Sequence, residues 1–585
     1  MDLVRVLRAY VLDAVSGGGY KALILDKDTM RVCSTMFGRS ELADMNVVHI
    51  ERIDGPDPKE NHPELKAVAF IRPTRDNVTL LKRELKAPRF QSLSLSFTNL
   101  VNPIHLQELA EVDAVKEFIS EVQELFGDFC VIDSHHFMIP CHRNDILLAP
   151  STAASSTAII QAEMLDRMVQ GLSALFLAVR RRPIIRYQRN SEQASRLADS
   201  LYNLTYKQQY QLFDFGARGT PVLLILDRRD DPVTPLLTQW SYQAMIHELI
   251  GINDNTVKLA SPKVPEEDRE VVLDPRSDDF LLKHAALNFG EVGLSVKALM
   301  EHYQTAESKH KQVETLDDMR RFMMEHLDFK RMQGNVIKHV NLMSQLSDTV
   351  SKRRLLEVSE LEQELANPAT GTSASSCAEE CARIIRQPDI TDFDKVRLAM
   401  LFALRYEPDG LRIRQLLEEL AAAGVRDREA KLYGAVEAVL KCAGANSRAG
   451  DLYASRSIMN KAKTMLRGLQ GVDNVYTQHT PLVTATLTNL LTDKLDSAAY
   501  PYMTATQDEA FSHQMTLRRT PPRELIVFIV GGTTYEEAKA IADWNERNPH
   551  MRVLLGGTAV LNASTFVGAL AGGGTEAGPV VISVQ

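Results

Sequence analysis

Two short apolar runs, 221–227 (PVLLILD) and 524–530 (ELIVFIV), constrain the fold more than any other feature of this chain. Each has strand length and is apolar at consecutive positions, so both faces of the strand need covering. The stretch between them is rich in helix formers and has almost no strand signal. The economical arrangement is one mostly parallel sheet whose sequence is split by a helical insertion. Around the runs, 151–179 and 191–213 read as helices and 184–188 as a strand. The helix 535–544 and the strand 552–555 restore the α/β pattern after the insertion. The domains expected are therefore 134–240 with 475–585 as a discontinuous α/β unit, and 241–474 as a mainly helical unit.

The first 133 residues read as a separate α/β domain. Strand-like runs at 21–26, 47–53, 67–72, 91–97 and 129–133 alternate with helical patterns such as 76–85 and 104–126. That alternation predicts a doubly wound, mostly parallel sheet. The fold class is α/β with a large α-helical insertion: two such sheets plus a helical domain. The glycines 17–19 precede the first strand, the wrong side for a dinucleotide fingerprint, and no Walker-A pattern occurs. Gly531-Gly532-Thr533-Thr534 follows a strand and could cradle an anion, but without a lysine it reads as a tight strand-to-helix turn.

Composition excludes several functions. The net charge of −9 and the absence of a large basic face argue against nucleic acid. Arg180-Arg181-Arg182, at the end of an apolar helix, reads as compensation of the helix dipole. Six scattered cysteines suit a reducing compartment, and Cys377 with Cys381 lacks the second pair of a zinc site. The first residues read as an amphipathic helix without a signal-peptide core. No apolar run is long enough to span a bilayer, so a cytoplasmic protein is expected, meeting membranes only through partners.

Asp227, Asp230 and Asp231 follow the 221–227 strand directly, with Pro232 and Pro235 punctuating the turn. Three carboxylates at the C-terminal end of an α/β strand suggest a metal or phosphoryl site, and hence an α/β hydrolase or phosphotransfer enzyme. The plainer reading is a charged turn that caps the next helix and pairs with Arg228 and Arg229. No nucleophile elbow, zinc-binding H-E-x-x-H or kinase loop accompanies it, so no catalytic residues, metal or cofactor are expected. His135 and His136 directly follow a strand, and if it continues through them they point to opposite faces, which prevents joint chelation.

The order of residues around the turn adds a resemblance. L-D-R-x-x-D-P-x-T-P-L-L at 226–237, followed by Trp240-Ser241-Tyr242-Gln243-Ala244-Met245, resembles the SM (Sec/Munc-like) family of SNARE-binding proteins. Colinear support comes from Phe70-Ile71-Arg72-Pro73-Thr74, the run 83–90, Pro183-Ile184-Ile185-Arg186-Tyr187-Gln188 and Ser277-Asp278-Asp279-Phe280. The likeness favours the branch concerned with vacuolar protein sorting. It implies a three-domain arch and a monomer that binds a syntaxin-type Qa-SNARE and the assembled SNARE complex. It also implies a peripheral location on trans-Golgi and endosomal membranes. A pocket for the syntaxin N-terminal peptide is implied around Leu106, with Leu109, Ala110 and Val122 beside it. Trp240, with Asp227 and Pro232, is expected at the junction of the second and third domains. The hairpin 289–350, with a polar tip at 305–315, has two apolar stripes, one through Phe322 and Leu327 and one through Val340 and Met343. Both are expected to face SNARE helices. One departure is that no proline stands near Leu327 and Asp328, where several relatives have one.

Overall fold

The computed structural model describes residues 2–56, 59–114, 117–148, 155–216, 220–262, 264–310, 316–367, 372–450, 452–453, 476, 478–519 and 521–572. Within these, only the backbone is described at 155–156, 306–310, 316–328 and 331.

The first sheet contains β1 (Lys21–Leu25), β2 (Val47–Arg52), β3 (His62–Ile71), β4 (Phe90–Phe97) and β5 (Ile119–Glu124), in the order β2-β1-β3-β4-β5 and wholly parallel. The helices Arg75–Lys86 and Pro103–Asp113 cover one face, packing Val78, Leu81, Leu85 and Leu109 on Ala69, Ile71, Leu93 and Leu95. Leu3, Leu7 and Val11 of the helix Leu3–Ala14, with Val32 and Met36, cover the other. Strand β5 corrects the helix expected over 104–126. Ile119, Val122 and Leu125 are three apart, a spacing that imitates helix period, but the first two belong to an edge strand whose polar residues meet solvent and Leu125 is buried just past its end.

The second sheet contains β6 (Cys130–Val131), β7 (His136–Met138), β8 (Ile184–Tyr187), β9 (Val222–Asp227), β12 (Glu524–Val530) and β13 (Arg552–Gly557), in the order β6-β7-β13-β12-β9-β8. The strands numbered between are a small antiparallel hairpin in the helical region, β10 (Thr256–Lys258) and β11 (Glu270–Val272). The two apolar runs are direct neighbours, with Leu525 opposite Val222 and Val530 opposite Asp227. The run at 129–133, expected in the first sheet, instead pairs antiparallel with β7 in the second. A single apolar core joins the sheets: Leu23 and Phe70 of the first continue through Phe129, Phe137 and Leu175 to Ile225 and Phe528 of the second.

Two further cores lie in the helical region. One gathers Trp240, Tyr242, Leu342 and Leu346, and the other gathers Leu361, Phe402, Leu416 and Val439. The second also takes in Leu148, Val233 and Phe566, which come from outside the insertion.

Candidate functional site

The acidic turn after β9 is a fastening. The Asp227 carboxylate accepts from Ser191 Oγ at 2.5 Å and pairs with Arg229 at 2.5 Å. Asp230 accepts the Ala449 N–H at 2.8 Å, and Asp231 accepts from Thr234 Oγ1 at 2.7 Å and from the Leu482 N–H at 2.9 Å. Arg228 is buried, pairs with Glu537 at 2.6 Å and donates to the Gly532 carbonyl at 3.0 Å. These bonds tie the point where the chain leaves the second sheet to the segments that bring it back. Glu537 also accepts the Thr534 N–H, so a carboxylate of the chain already occupies the helix N-terminus after Gly531-Gly532. Those two glycines hold φ of 95° and 111°, a turn that other residues enter only with strain. Among the described residues no cluster of three or more His, Cys, Asp or Glu is placed to hold a metal. Nothing in the geometry supports the hydrolase alternative.

His135 and His136 take different partners. His136 is buried and bonds Thr533 Oγ1 at 2.8 Å, whereas His135 Nε2 bonds the Ala538 carbonyl at 3.0 Å. Burial pushes His136 down to about 4, so it is neutral at pH 7.

Trp240 is buried, donates Nε1–H to Ser359 Oγ at 3.1 Å and packs against Phe289 and Tyr476. Beside it lies an ionic network that the sequence does not announce. Arg397 is fully enclosed and pairs with Glu362 at 2.5 Å and Asp394 at 3.0 Å; Arg353 also pairs with Asp394, at 2.7 Å. Glu362 in turn accepts the Thr238 N–H at 2.7 Å. Glu248 lies 3.7 Å from Arg397 and accepts the Ala563 N–H. Burial pushes Glu248 and Glu362 up; Asp394 is buried too, but its two guanidinium neighbours hold it down. The network joins residues before, within and after the insertion. No motif could have revealed it, because its members lie far apart in sequence.

On the N-terminal domain, Leu106 is 36% and Val122 48% exposed, and Ala110 is exposed with them. Val122 pairs with Leu95, which puts it on the sheet face that bears the helix Pro103–Asp113. Leu109 is a correction: it is buried in the core of that face and presents nothing to a peptide. At about 100° per residue, Leu109 stands roughly 60° around the helix from Leu106, which takes it from the exposed edge into the core. Ile104, 62% exposed on the same helix, is an apolar group that the sequence reading passed over.

The expected hairpin consists of the helices Phe289–His310 and Leu316–Lys352. Tyr303 and Phe329 stack between them at 5.4 Å. Part of the expected tip, 311–315, lies outside the described residues, as do the side chains of Phe322 and Leu327. Val340 and Met343 are half-buried against the core of Leu342 and Leu346. Among the described residues Leu294, 73% exposed, Met300 and Ile337 are large apolar side chains that the hairpin turns to solvent. At its base His339 bonds Asp278 at 2.9 Å and Tyr242 at 2.8 Å, all three being buried.

A model of the Sec1 family matches residues 21–569. The chain belongs to the Sec1 family. It is 39% identical to the vacuolar protein sorting-associated protein 45 homolog of Arabidopsis thaliana, over 97% of each chain. Identity to the Homo sapiens vacuolar protein sorting-associated protein 45 is also 39%, over 97% of this chain and 95% of the relative. Among solved structures, it is similar to the SM protein Vps45 in complex with the Qa-SNARE Tlg2, with a TM-score of 0.85 and 37% identity over 98% of this chain and 99% of that one. A complex of Unc18 with syntaxin 1 from Monosiga brevicollis, 21% identical at a TM-score of 0.76, shares the fold, covering 98% of this chain and 99% of that one. These likenesses bear out both the family and the vacuolar-sorting branch expected from the turn. Among the described residues no helix of this Sec1-family chain is long and apolar enough to cross a membrane.

Proposed function

We propose that this Sec1-family chain binds a syntaxin-type Qa-SNARE and promotes SNARE-complex assembly in trans-Golgi, endosomal and vacuolar traffic. The observation behind this reading is its near-full-length likeness to a Vps45 solved with a Qa-SNARE. The acidic turn is consistent with a binding role as well, because its carboxylates are engaged in fastening the fold. We assign 1–128 to an N-terminal domain, 129–240 with 475–585 to a second, because β6 joins the second sheet, and 241–474 to a third. The chain acts as a monomer, reaching trans-Golgi and endosomal membranes through its SNARE clients.

The N-terminal peptide of the Qa-SNARE docks on the exposed apolar surface of Leu106, Ala110, Val122 and Ile104. An apolar contact there gains from burial, whereas a guanidinium would be desolvated without a partner. Leu106→Arg should therefore weaken the peptide at least about 100-fold in calorimetry, the loss of roughly 3 kcal/mol typical of a contact hot spot. Its exposure means that the melting temperature should hold. Unchanged affinity in the folded variant would remove the peptide from this surface.

A further inference from the structure

The three arginines after the long helix Ser155–Val179 do more than offset a dipole. Arg180 adopts the left-handed conformation, φ 53°, and the N–H groups of Arg180 and Arg181 close the helix on the Leu177 and Phe176 carbonyls. The chain then turns so that all three arginines line one recess of about 240 Å³, with Tyr206, His513 and Thr516 on its walls.

The charges in this recess are incompletely answered. Arg181 pairs with Glu524 at 2.9 Å. Arg182 lies over the rings of Tyr206 and Tyr210, at 4.7 and 4.9 Å, which hold its plane without neutralising it. Among the described residues Arg180 and Arg182 have no carboxylate within ion-pair distance. Asp214 also lines the wall and accepts the Gly216 N–H at 3.3 Å. Arg182 Nη1 and His513 Nδ1 are buried and have no hydrogen-bond partner among the described residues, a state that costs free energy unless a ligand completes it. Burial also holds His513 below its ordinary value, against the nearby Glu509 carboxylate, which raises it.

The surroundings are apolar. Tyr210, Leu212 and Phe511 stand on the segments that form the recess and are 47%, 38% and 63% exposed. Planar guanidiniums match phosphate oxygens, and exposed aromatic and aliphatic groups around a cationic recess match the boundary of an anionic bilayer.

We propose that this recess binds a phosphomonoester and takes it from the phosphorylated headgroup of a membrane lipid, so that the chain touches the bilayer directly as well as through its SNARE clients. The arginines and His513 hold the phosphate, and Phe511 and Leu212 enter the interface around it. The contact is independent of the N-terminal peptide surface, which lies on the first sheet.

The test is co-sedimentation of the full chain with phosphatidylcholine vesicles containing about 5% of a ring-phosphorylated inositol lipid, at about 0.15 M salt, where non-specific attraction is screened. Binding is expected to exceed that to phosphatidylserine vesicles of equal charge. Arg180→Asn, which suits the left-handed backbone, should lower it about tenfold, and Arg180→Asn with Arg182→Gln should lower it further. Arg414→Gln, on an exposed helix elsewhere, should leave it unchanged. Phe511→Ser should lose vesicle binding yet keep binding of soluble inositol phosphate. Three outcomes would overturn the proposal: binding to neither probe, equal binding to both anionic vesicles, or an equal loss in Arg414→Gln. If soluble inositol phosphate binds as tightly as vesicles and Phe511→Ser changes nothing, the source is a soluble anion and the lipid assignment fails. Qa-SNARE peptide affinity, measured in every variant, separates these failures from loss of fold or of the SNARE function.

Discussion

Asp230 is a carboxylate whose charge the fold resists. Burial pushes it up from 3.8 to about 6, opposed by the Ala449 N–H and reinforced by Asp227 and Asp231. A folded value above the unfolded one means that Asp230 favours folding fully only below the unfolded value, where both states are protonated. That contribution disappears as pH rises through the folded value, leaving a constant cost of about 3 kcal/mol. Asp230→Asn keeps an acceptor for Ala449 while removing the titration. Its urea midpoint should gain on the wild type between about pH 4 and 6.5 and level off above. A difference that did not vary with pH would place the cost elsewhere. The three acids of the turn look alike in sequence, and only their neighbours separate them. The same holds for Leu106 and Leu109, one exposed and one in the core, because helix phase against a particular sheet decides which leucine meets solvent.

At the scale of elements, the hairpin shows how far periodicity reaches. Val336, Val340, Met343, Leu346 and Val350 do form a stripe facing the core, but Leu342 and His339 are buried with them and widen it. The stripe is therefore occupied in part by the helical region itself. Phe322 and Leu327 lie farther toward the tip on the same helix, and we propose them as the part that meets a SNARE helix. Phe322→Glu with Leu327→Glu should slow SNARE-dependent liposome fusion about tenfold or more while leaving N-terminal peptide affinity unchanged, since the peptide surface belongs to another domain. A folded double variant that accelerates fusion as well as the wild type would make the hairpin merely structural. Strand β5 marks the opposite limit, because apolar residues on an edge strand and just past it can be spaced like a helix.

For the whole molecule, the first two domains share one apolar core, whereas the helical region is attached through buried polar groups as well. Buried ion pairs add little net stability but penalise any arrangement that leaves them unpaired, so the attachment is specific. Trp240 packs at this attachment. Trp240→Arg would replace a large aromatic with a charge inside a core and should cost about 3–5 kcal/mol of local stability. The expected result is a lower melting temperature, with SNARE-complex binding reduced more than N-terminal peptide binding. Unaltered melting and unaltered binding of both partners would show that Trp240 does not hold the domains together.

The sequence by itself determined the local elements and the family. Consecutive apolar residues at 221–227 and 524–530 read as strands covered on both faces, and the order of residues around Asp227 to Met245 pointed to the relatives. Those signals are local, written within a turn or two of chain. Tertiary structure decided the pairing of β9 with β12 across the insertion, and the transfer of the 129–133 run to the second sheet. It also decided that the acidic turn would fasten the chain, and that Arg397 would meet Glu362 and Asp394 in the interior. Hydrogen bonding, desolvation and charge pairing depend on groups brought together from distant positions, and one chain read in order does not contain those distances.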